Sequence, residues 1–109
     1  MSIKVENQSR FKSILFHALA DPIRLEILEY LRDGEKCVCE IIPHLNILQP
    51  VVSRHLKILK DAGIVRDRKE GNKRFYSIVD ARIYAVIYGI TPELVDTFSK
   101  EAFRRMTYR

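Results

Sequence analysis

The chain has 109 residues and a formal net charge of +5, with 47% hydrophobic and 30% charged residues. A chain of this length forms one small domain with little stability to spare, which favours assembly with a second copy. It has no apolar run of the ~20 residues that a membrane helix needs, and its first ten residues lack the apolar stretch of a signal peptide. We therefore predict a cytoplasmic protein with a single domain over residues 1–109 and no membrane partner.

Two helices are predicted before the first cysteine. The first covers residues 8–19, where apolar side chains recur at helical spacing, namely Phe11, Ile14, Leu15 and Ala18. The second begins at Pro22, with Asp21 as its N-cap, and ends before Gly34.

Both cysteines lie in the segment KCVCE, as Cys37 and Cys39. In a reducing compartment, closely spaced cysteines more often indicate metal or redox chemistry than a structural disulfide. Side chains two residues apart in a regular helix point about 200° away from each other. Joint coordination of one ion therefore requires an extended or unwound backbone around Val38. The alternative is that both cysteines are inert core residues, since free cysteine is often buried.

Residues 38–63 have the pattern of a helix-turn-helix. A short apolar segment ends near Leu45, Asn46 suits a left-handed turn, and Pro50 starts another helix. On a helical wheel, one arc of this second helix is apolar and faces the core: Val52, Leu56, Leu59 and Gly63. Arg54 and Lys57 face outward near the helix start, which is the end that recognition helices place in the major groove.

The charge excess is confined to one quarter of the chain. Residues 50–76 contain eight Lys or Arg against three acids, whereas the rest of the chain is balanced. Such a patch is typical of a protein that binds a polyanion. Residues 64–79 predict a β-wing around a glycine turn, with Ile64, Phe75 and Ile78 as core contacts. Its basic residues are positioned to contact DNA phosphates: Arg66, Arg68, Lys69, Lys73 and Arg74.

A final amphipathic helix is predicted over residues 91–106, with Thr91 as cap and Pro92 at the first position. Its apolar side comprises Leu94, Val95, Phe98, Ala102 and Met106. The chain has no evident internal partner for this stripe and for that of residues 8–19, which predicts a two-fold homodimer. The expected fold class is thus mostly α with a small β-hairpin, a winged helix-turn-helix that dimerises through its N- and C-terminal helices.

Two long segments resemble the ArsR/SmtB family of winged-helix repressors, and specifically its arsenic-responsive members. They are FHALADPIRLEILEYLRDGEKCVCEI and QPVVSRHLKILKDAGIVRDRKEGNKRFYSI, which lie within about residues 11–80. The resemblance implies a homodimer that sits on a palindromic DNA operator and leaves it when metal binds. It also implies that Cys37 and Cys39 are effector ligands. The residues of the DNA-reading helix would include Gln49, Ser53, Arg54 and His55.

The effector implied by this resemblance is As(III), Sb(III) or another ion that favours soft thiolate ligands. No cofactor is required. Where some arsenic-responsive relatives carry a third cysteine this chain has Ile42, so the third ligand is unassigned and His44 stays open for that role. The zinc site of other relatives is not expected, since the segment DARIYAVIYGI offers only Asp80.

We therefore predict a sequence-specific transcriptional repressor that a thiophilic effector releases from its operator. Two alternatives use the same DNA-binding module: a regulator that responds to oxidation of the two thiols, and a regulator whose cysteines are only structural. A winged helix used for protein contacts would leave the basic patch unexplained. An enzyme is not expected, because the sequence has no glycine-rich phosphate loop, nucleophile motif or carboxylate pair with an evident base.

Overall fold

Six helices and a three-stranded sheet form the part of the chain that the computed structural model describes, which is the backbone of residues 5–107 and the side chains of residues 7–107. The helices are α1 (Val5–Leu19), α2 (Pro22–Tyr30), α3 (Val38–Leu45), α4 (Gln49–Asp61), α5 (Ile83–Gly89) and α6 (Pro92–Thr107). The strands are β1 (Lys36–Cys37), β2 (Val65–Glu70) and β3 (Lys73–Ile78). Residues 1–4 and 108–109 of the predicted domain lie outside the described residues.

Helix α2 starts at its predicted cap. The Asp21 carboxylate accepts hydrogen bonds from the backbone N–H groups of Ile23 and Arg24, at 2.8 and 3.2 Å. The helix ends at Tyr30 and a 3₁₀ turn, Leu31–Asp33, follows it. Gly34 closes this turn with a φ of 139°, which favours glycine. The regular helix is thus about one turn shorter than predicted.

The helix-turn-helix consists of α3 and α4. Asn46 takes the predicted left-handed conformation, with a φ of 55°, and its N–H donates to the Ile42 carbonyl at 2.9 Å. Helix α4 begins at Gln49, one residue before the predicted start. Its inner face confirms the helical-wheel prediction for Val52, Leu56 and Leu59, which are at most 1% exposed. The prediction was wrong for Gly63, which is exposed and lies beyond the end of α4 with a φ of 80°.

The antiparallel sheet has the strand order β1-β3-β2. In its register Cys37 lies opposite Phe75, and Phe75 lies opposite Arg68. The expectation for the wing core was partly wrong: Ile64 is buried as expected, but the buried aromatic of β3 is Tyr76. Phe75 is only half-buried, and its cover on one face is the Arg68 guanidinium rather than the core.

Helix α5 is anchored on α2 by Tyr84. Its buried hydroxyl donates to the Leu28 carbonyl at 2.5 Å, and burial raises the pKa of Tyr84 to about 12. On the next turn the Tyr88 hydroxyl donates to the Glu29 carboxylate. These bonds fix the segment that leads from the wing to α6.

Helices α1 and α6 keep large apolar side chains uncovered by the rest of the chain. Phe16 of α1 is 56% exposed, and Phe98 and Phe103 of α6 are 65% and 70% exposed. Within the described part of α6 no residue is buried. None of the helices in residues 5–107 has the length and apolar character needed to cross a membrane.

Candidate nucleic-acid interface and cysteine site

The outward face of α4 carries the polar residues predicted to read DNA. Gln49, Ser53 and Arg54 are exposed in the first two turns of the helix. Lys57 follows one turn later and is also exposed, paired with Asp61 at 2.9 Å. Since the apolar arc of α4 is fixed in the core, these side chains are held on the solvent side. The start of α4 thus presents exposed hydrogen-bonding side chains, as the predicted contact with the major groove requires.

His55, predicted in the same set, lies on the inner flank of α4. Its side chain is 12% exposed, and its Nδ1 is 3.0 Å from Nη1 of Arg24 and 3.9 Å from the Asp21 carboxylate. An arginine N–H can only donate, so Nδ1 is the acceptor in this contact. The imidazole therefore faces α2, and a contact of His55 with DNA stays a prediction.

Arg24 is a buried arginine that joins three helices. Its Nε and Nη2 donate to the carbonyls of Ala18 and His17, at 2.6 and 3.1 Å. These carbonyls belong to the last turn of α1, where backbone acceptors lack helical partners. Together with its bond to His55, Arg24 ties the end of α1 to α2 and to the reading helix. Arg24 was not predicted from the sequence, although a single charge in the apolar stripe that continues through Ile27 and Leu28 was a usable signal.

Asp67 joins the wing to the reading helix. Its carboxylate, only 10% exposed, is 3.0 Å from the Lys60 ammonium of α4 and 2.6 Å from the Arg74 guanidinium of β3. The hydrogen bond from Lys60, supported by that from Arg74, holds the pKa of Asp67 below its ordinary value. Arg74, a predicted phosphate contact, is thus bound to the wing itself.

Arg68, at the centre of the wing, is the most extensively bonded of the predicted phosphate contacts. Its Nε and Nη2 donate to Glu35 at 2.9 and 2.6 Å, and its Nη1 donates to Glu70 at 2.8 Å. The guanidinium carbon lies 4.5 Å from the centre of the Phe75 ring. The bonds to Glu35 and then Glu70 raise the pKa of Arg68 further above its ordinary value. The other wing cations, Arg66, Lys69 and Lys73, are exposed.

The two cysteines meet at the junction between β1 and α3. Cys37 is the last residue of β1 and the extended N-cap of α3, with φ −70° and ψ 144°, and Cys39 lies in the first turn of the helix. The sulfurs are joined as a disulfide, and the Cys39 N–H lies 3.1 Å from the Cys37 sulfur. The backbone at Cys37 is thus extended, as the prediction allowed, and α3 itself is not unwound. Coordination of an ion by the two sulfurs stays a prediction. The helix starts between the two cysteines, so their side chains approach each other while α3 stays intact.

The cysteines differ in exposure. Cys37 is 3% exposed, whereas Cys39 is open to solvent. Cys37 is also held by the pairing of β1 with β3, which Cys39 does not share. A reagent in solution therefore reaches Cys39 first.

Among the side chains of residues 7–107, no third protein ligand is found beside the cysteines. His44 stacks on Tyr30 with ring centroids 3.8 Å apart, and it lies five residues beyond Cys39. Among the residues whose side chains are described, no group of three His, Cys, Asp or Glu is arranged to hold a metal ion. An ion bound by these two sulfurs would have to take its remaining ligands from elsewhere than the described side chains.

A surface hollow of about 430 Å³ connects the cysteine pair with the predicted DNA-binding elements. Gln49 and Ser53 of the reading helix line it on one side, and the base of the wing lines it on another. The complete lining is Cys37, Val38, Cys39, Ile42, Gln49, Ser53, Leu56, Asn72, Lys73, Arg74 and Tyr76. A group attached to either sulfur would thus lie against residues that are predicted to touch DNA.

The sequence also matches known proteins. Residues 21–67 match the family described as "Bacterial regulatory protein, arsR family". An uncharacterised HTH-type transcriptional regulator of Methanocaldococcus jannaschii is 53% identical over 74 residues, which cover 67% of this chain and 83% of that protein. An arsenical resistance operon repressor of Staphylococcus xylosus is 44% identical over 66 residues, or 61% of this chain and 64% of the repressor. The match therefore spans just under two thirds of that repressor.

A solved structure from Mycobacterium bovis, described as a homodimeric winged helix-turn-helix DNA-binding domain, aligns with a TM-score of 0.73 and 27% identity. The alignment covers 89% of this chain and 95% of that domain. It confirms the predicted fold class. The matched proteins are transcriptional regulators, which confirms that this chain is not an enzyme. The chain belongs to the ArsR family of DNA-binding transcriptional repressors.

Proposed function

We propose that the protein is a homodimeric repressor that As(III), Sb(III) or another thiophilic ion releases from its operator by binding to Cys37 and Cys39. The observation that carries the proposal is the adjacent pair of sulfurs at the start of α3. They share one hollow with Gln49 and Ser53 of the reading helix. The similarity to an arsenical resistance operon repressor supports this choice of effector.

On DNA, the start of α4 enters the major groove and the wing lies along the backbone. Gln49, Ser53 and Arg54 have side chains suited to base edges and nearby phosphates. His55 supports this helix from its inner flank. The remaining predicted contacts are cations that bind phosphates: Lys57, Arg66, Arg68, Lys69, Lys73 and Arg74.

A second copy of the chain covers the uncovered apolar faces of α1 and α6. Phe16, Phe98 and Phe103 are exposed on these helices, and water-exposed aromatic patches of this kind mark interfaces. The homodimeric M. bovis domain supports this arrangement. Two-fold symmetry then presents two reading helices to half-sites one DNA turn apart, in the cytoplasm where we expect the operator to lie.

Effector binding acts on the first turn of α3. In the reduced protein both sulfurs can bind as soft thiolates, and a shared ion fixes the distance between them. Cys37 is held by β1, so the adjustment falls on Cys39 and on the α3 turn that contains it. Helix α3 packs against α4, so an altered α3 changes the position of the reading helix. The ion thus stabilises a conformation that binds DNA less well.

The sulfur pairing also favours a second candidate, in which the same cysteines respond to peroxide. Hydrogen peroxide oxidises the exposed Cys39 thiolate to a sulfenic acid, and the peroxide O–O bond breaks with loss of hydroxide. The Cys37 thiolate then attacks the Cys39 sulfur and expels a second hydroxide, which takes up a proton to form water. The two electrons lost by the thiols reduce the peroxide. The product is the disulfide seen in the structure.

Operator release by the reduced protein separates these candidates. The DNA probe is a duplex of about 30 bp, or three helical turns, selected from random sequences by repeated binding. Binding of the protein to this duplex is followed by fluorescence anisotropy. We expect arsenite or antimonite at micromolar concentration to release the protein, and zinc chloride to leave it bound. Release by hydrogen peroxide alone would assign the cysteines to redox sensing. A protein that selects no duplex sequence would refute the repressor itself.

A further inference from the structure

Glu35 holds the central cation of the wing from outside the wing. It lies between the 3₁₀ turn and β1, 33 residues before Arg68. Its two carboxylate oxygens bind Nε and Nη2 of that arginine at 2.9 and 2.6 Å, which is a bidentate pair. The guanidinium plane is also fixed by its position above Phe75. The contact therefore has a defined geometry and not that of a single mobile surface pair.

This geometry conflicts with the role of Arg68 on DNA. A guanidinium binds phosphate best through two parallel N–H groups, and the Nε/Nη2 edge is one of the edges that offers such a pair. Glu35 occupies that whole edge, while Glu70 takes one bond from Nη1. A phosphate must displace Glu35 before it can use the same edge.

The same segment contains a sensor cysteine. Glu35 precedes Cys37 by two residues, and Cys37 is the residue of β1 that lies opposite Phe75 of β3. On the other side of β3, Phe75 lies opposite Arg68. Cys37, Phe75 and Arg68 thus form one row across the sheet. Glu35 connects the two ends of this row, since it is two residues from Cys37 and binds Arg68. A displacement of Cys37 is passed both to the wing strand and to the carboxylate that binds Arg68.

We propose that Glu35 competes with DNA phosphate for Arg68, and that chemistry at Cys37 and Cys39 sets the strength of this competition. With the cysteines free, the DNA backbone displaces Glu35 and Arg68 turns to phosphate. With the cysteines bridged, β1 holds Glu35 on Arg68 and the wing loses a backbone contact. The inference rests on the proposed function, since it requires Arg68 to contact DNA and the cysteines to be the sensor.

The chain offers a matched control in Glu70. Glu35→Gln and Glu70→Gln remove the same charge from the same arginine, but only Glu35 occupies the bidentate edge and adjoins β1. With the selected duplex, we expect Glu35→Gln to raise the operator affinity about two- to fivefold. The gain from Glu70→Gln is expected to be less than half as large. In the Arg68→Gln background, the two substitutions should have equal effects.

The response to arsenite tests the link to the cysteines. The factor by which arsenite lowers operator affinity is expected to shrink in Glu35→Gln and to stay at the wild-type value in Glu70→Gln. Equal affinity gains in the two variants, or a Glu35→Gln gain that still exceeds the Glu70→Gln gain without Arg68, would overturn the competition. An unchanged arsenite factor in Glu35→Gln would overturn its control by the cysteines.

Arg68→Gln alone separates these failures from failure of the proposed function. It should weaken binding to every duplex and lower the salt slope of log affinity by about one. If it does so while Glu35→Gln has no effect, the DNA-binding mode stands and the role of Glu35 is wrong. If Arg68→Gln changes neither affinity nor salt slope, the wing contact and the competition are both refuted.

Discussion

Cys37 and Cys39 have different structural roles although only Val38 separates them. Cys37 is buried and caps α3, whereas Cys39 is exposed in the first turn. Serine is a good N-cap, so Cys37→Ser preserves the cap but places a hydroxyl in a buried position. Cys39 has no comparable duty, which makes it the cleaner position for testing the sensor.

We expect Cys39→Ser to change the free energy of unfolding by less than ~0.5 kcal/mol and to leave operator affinity near the wild-type value. It should abolish release by arsenite, because one thiolate cannot form the chelate. Urea unfolding measures the change in stability, and fluorescence anisotropy measures operator affinity and release. The exposed Ser99→Ala on α6 is a neutral control. Normal release of Cys39→Ser by arsenite would show that the cysteines are not the effector ligands.

Asp67 gives the wing a pH-dependent stability. Its pKa is lowered in the folded protein, so its contribution is present above the pKa of the unfolded chain and is lost as pH falls through the folded pKa. We expect Asp67→Asn to lower the Tm at pH 7 by roughly 4 °C. The Tm difference from the wild type should narrow steadily below pH 4, the usual range for an unfolded aspartate. A difference that is constant from pH 7 to pH 3 would exclude the ion pairs as its cause.

At the scale of elements, Arg24 connects the end of the first helix to the reading helix. Removing its guanidinium takes the Arg24 donor away from the buried Ala18 carbonyl and leaves the His17 carbonyl with only the Ala20 N–H. We expect Arg24→Met to cost about 1–3 kcal/mol of unfolding free energy, measured by urea denaturation. The exposed Arg54→Met is the control and should cost less than ~0.5 kcal/mol. Similar losses in both variants would mean that the bonds of Arg24 contribute little.

The sequence predicted those elements whose signals are local. The apolar arc of α4, the Asp21 cap and the turn at Asn46 each follow from spacing or from a residue's own backbone preference. Strand β1 was not predictable, since two residues carry no alternating pattern and pair only because β3 lies beside them. The bond between Glu35 and Arg68 was hidden for the same reason, as it joins segments that only tertiary packing brings together.

At the scale of the molecule, the proposed dimer depends on the apolar face of α6. Phe98 is 65% exposed in the isolated chain, and Lys100 lies on the opposite side of the same helix. We expect Phe98→Gln to shift the dimer toward monomer by at least tenfold in dissociation constant, since it removes a large aromatic from the interface core. Lys100→Gln should leave the dimer unchanged. Sedimentation velocity at micromolar concentration measures the monomer–dimer equilibrium of each variant. A wild-type monomer would refute the proposed dimer.

The shortness of β1 leaves the position of Cys37 easy to change. Only Lys36 and Cys37 are paired with β3, so this strand can open without unfolding of the helices around it. Since Cys37 is buried and Cys39 is exposed, we expect a reagent in solution to reach Cys39 sooner. The cysteine pair would then act as a time filter: a brief pulse of reagent would modify Cys39 alone, whereas a sustained exposure would bridge both sulfurs.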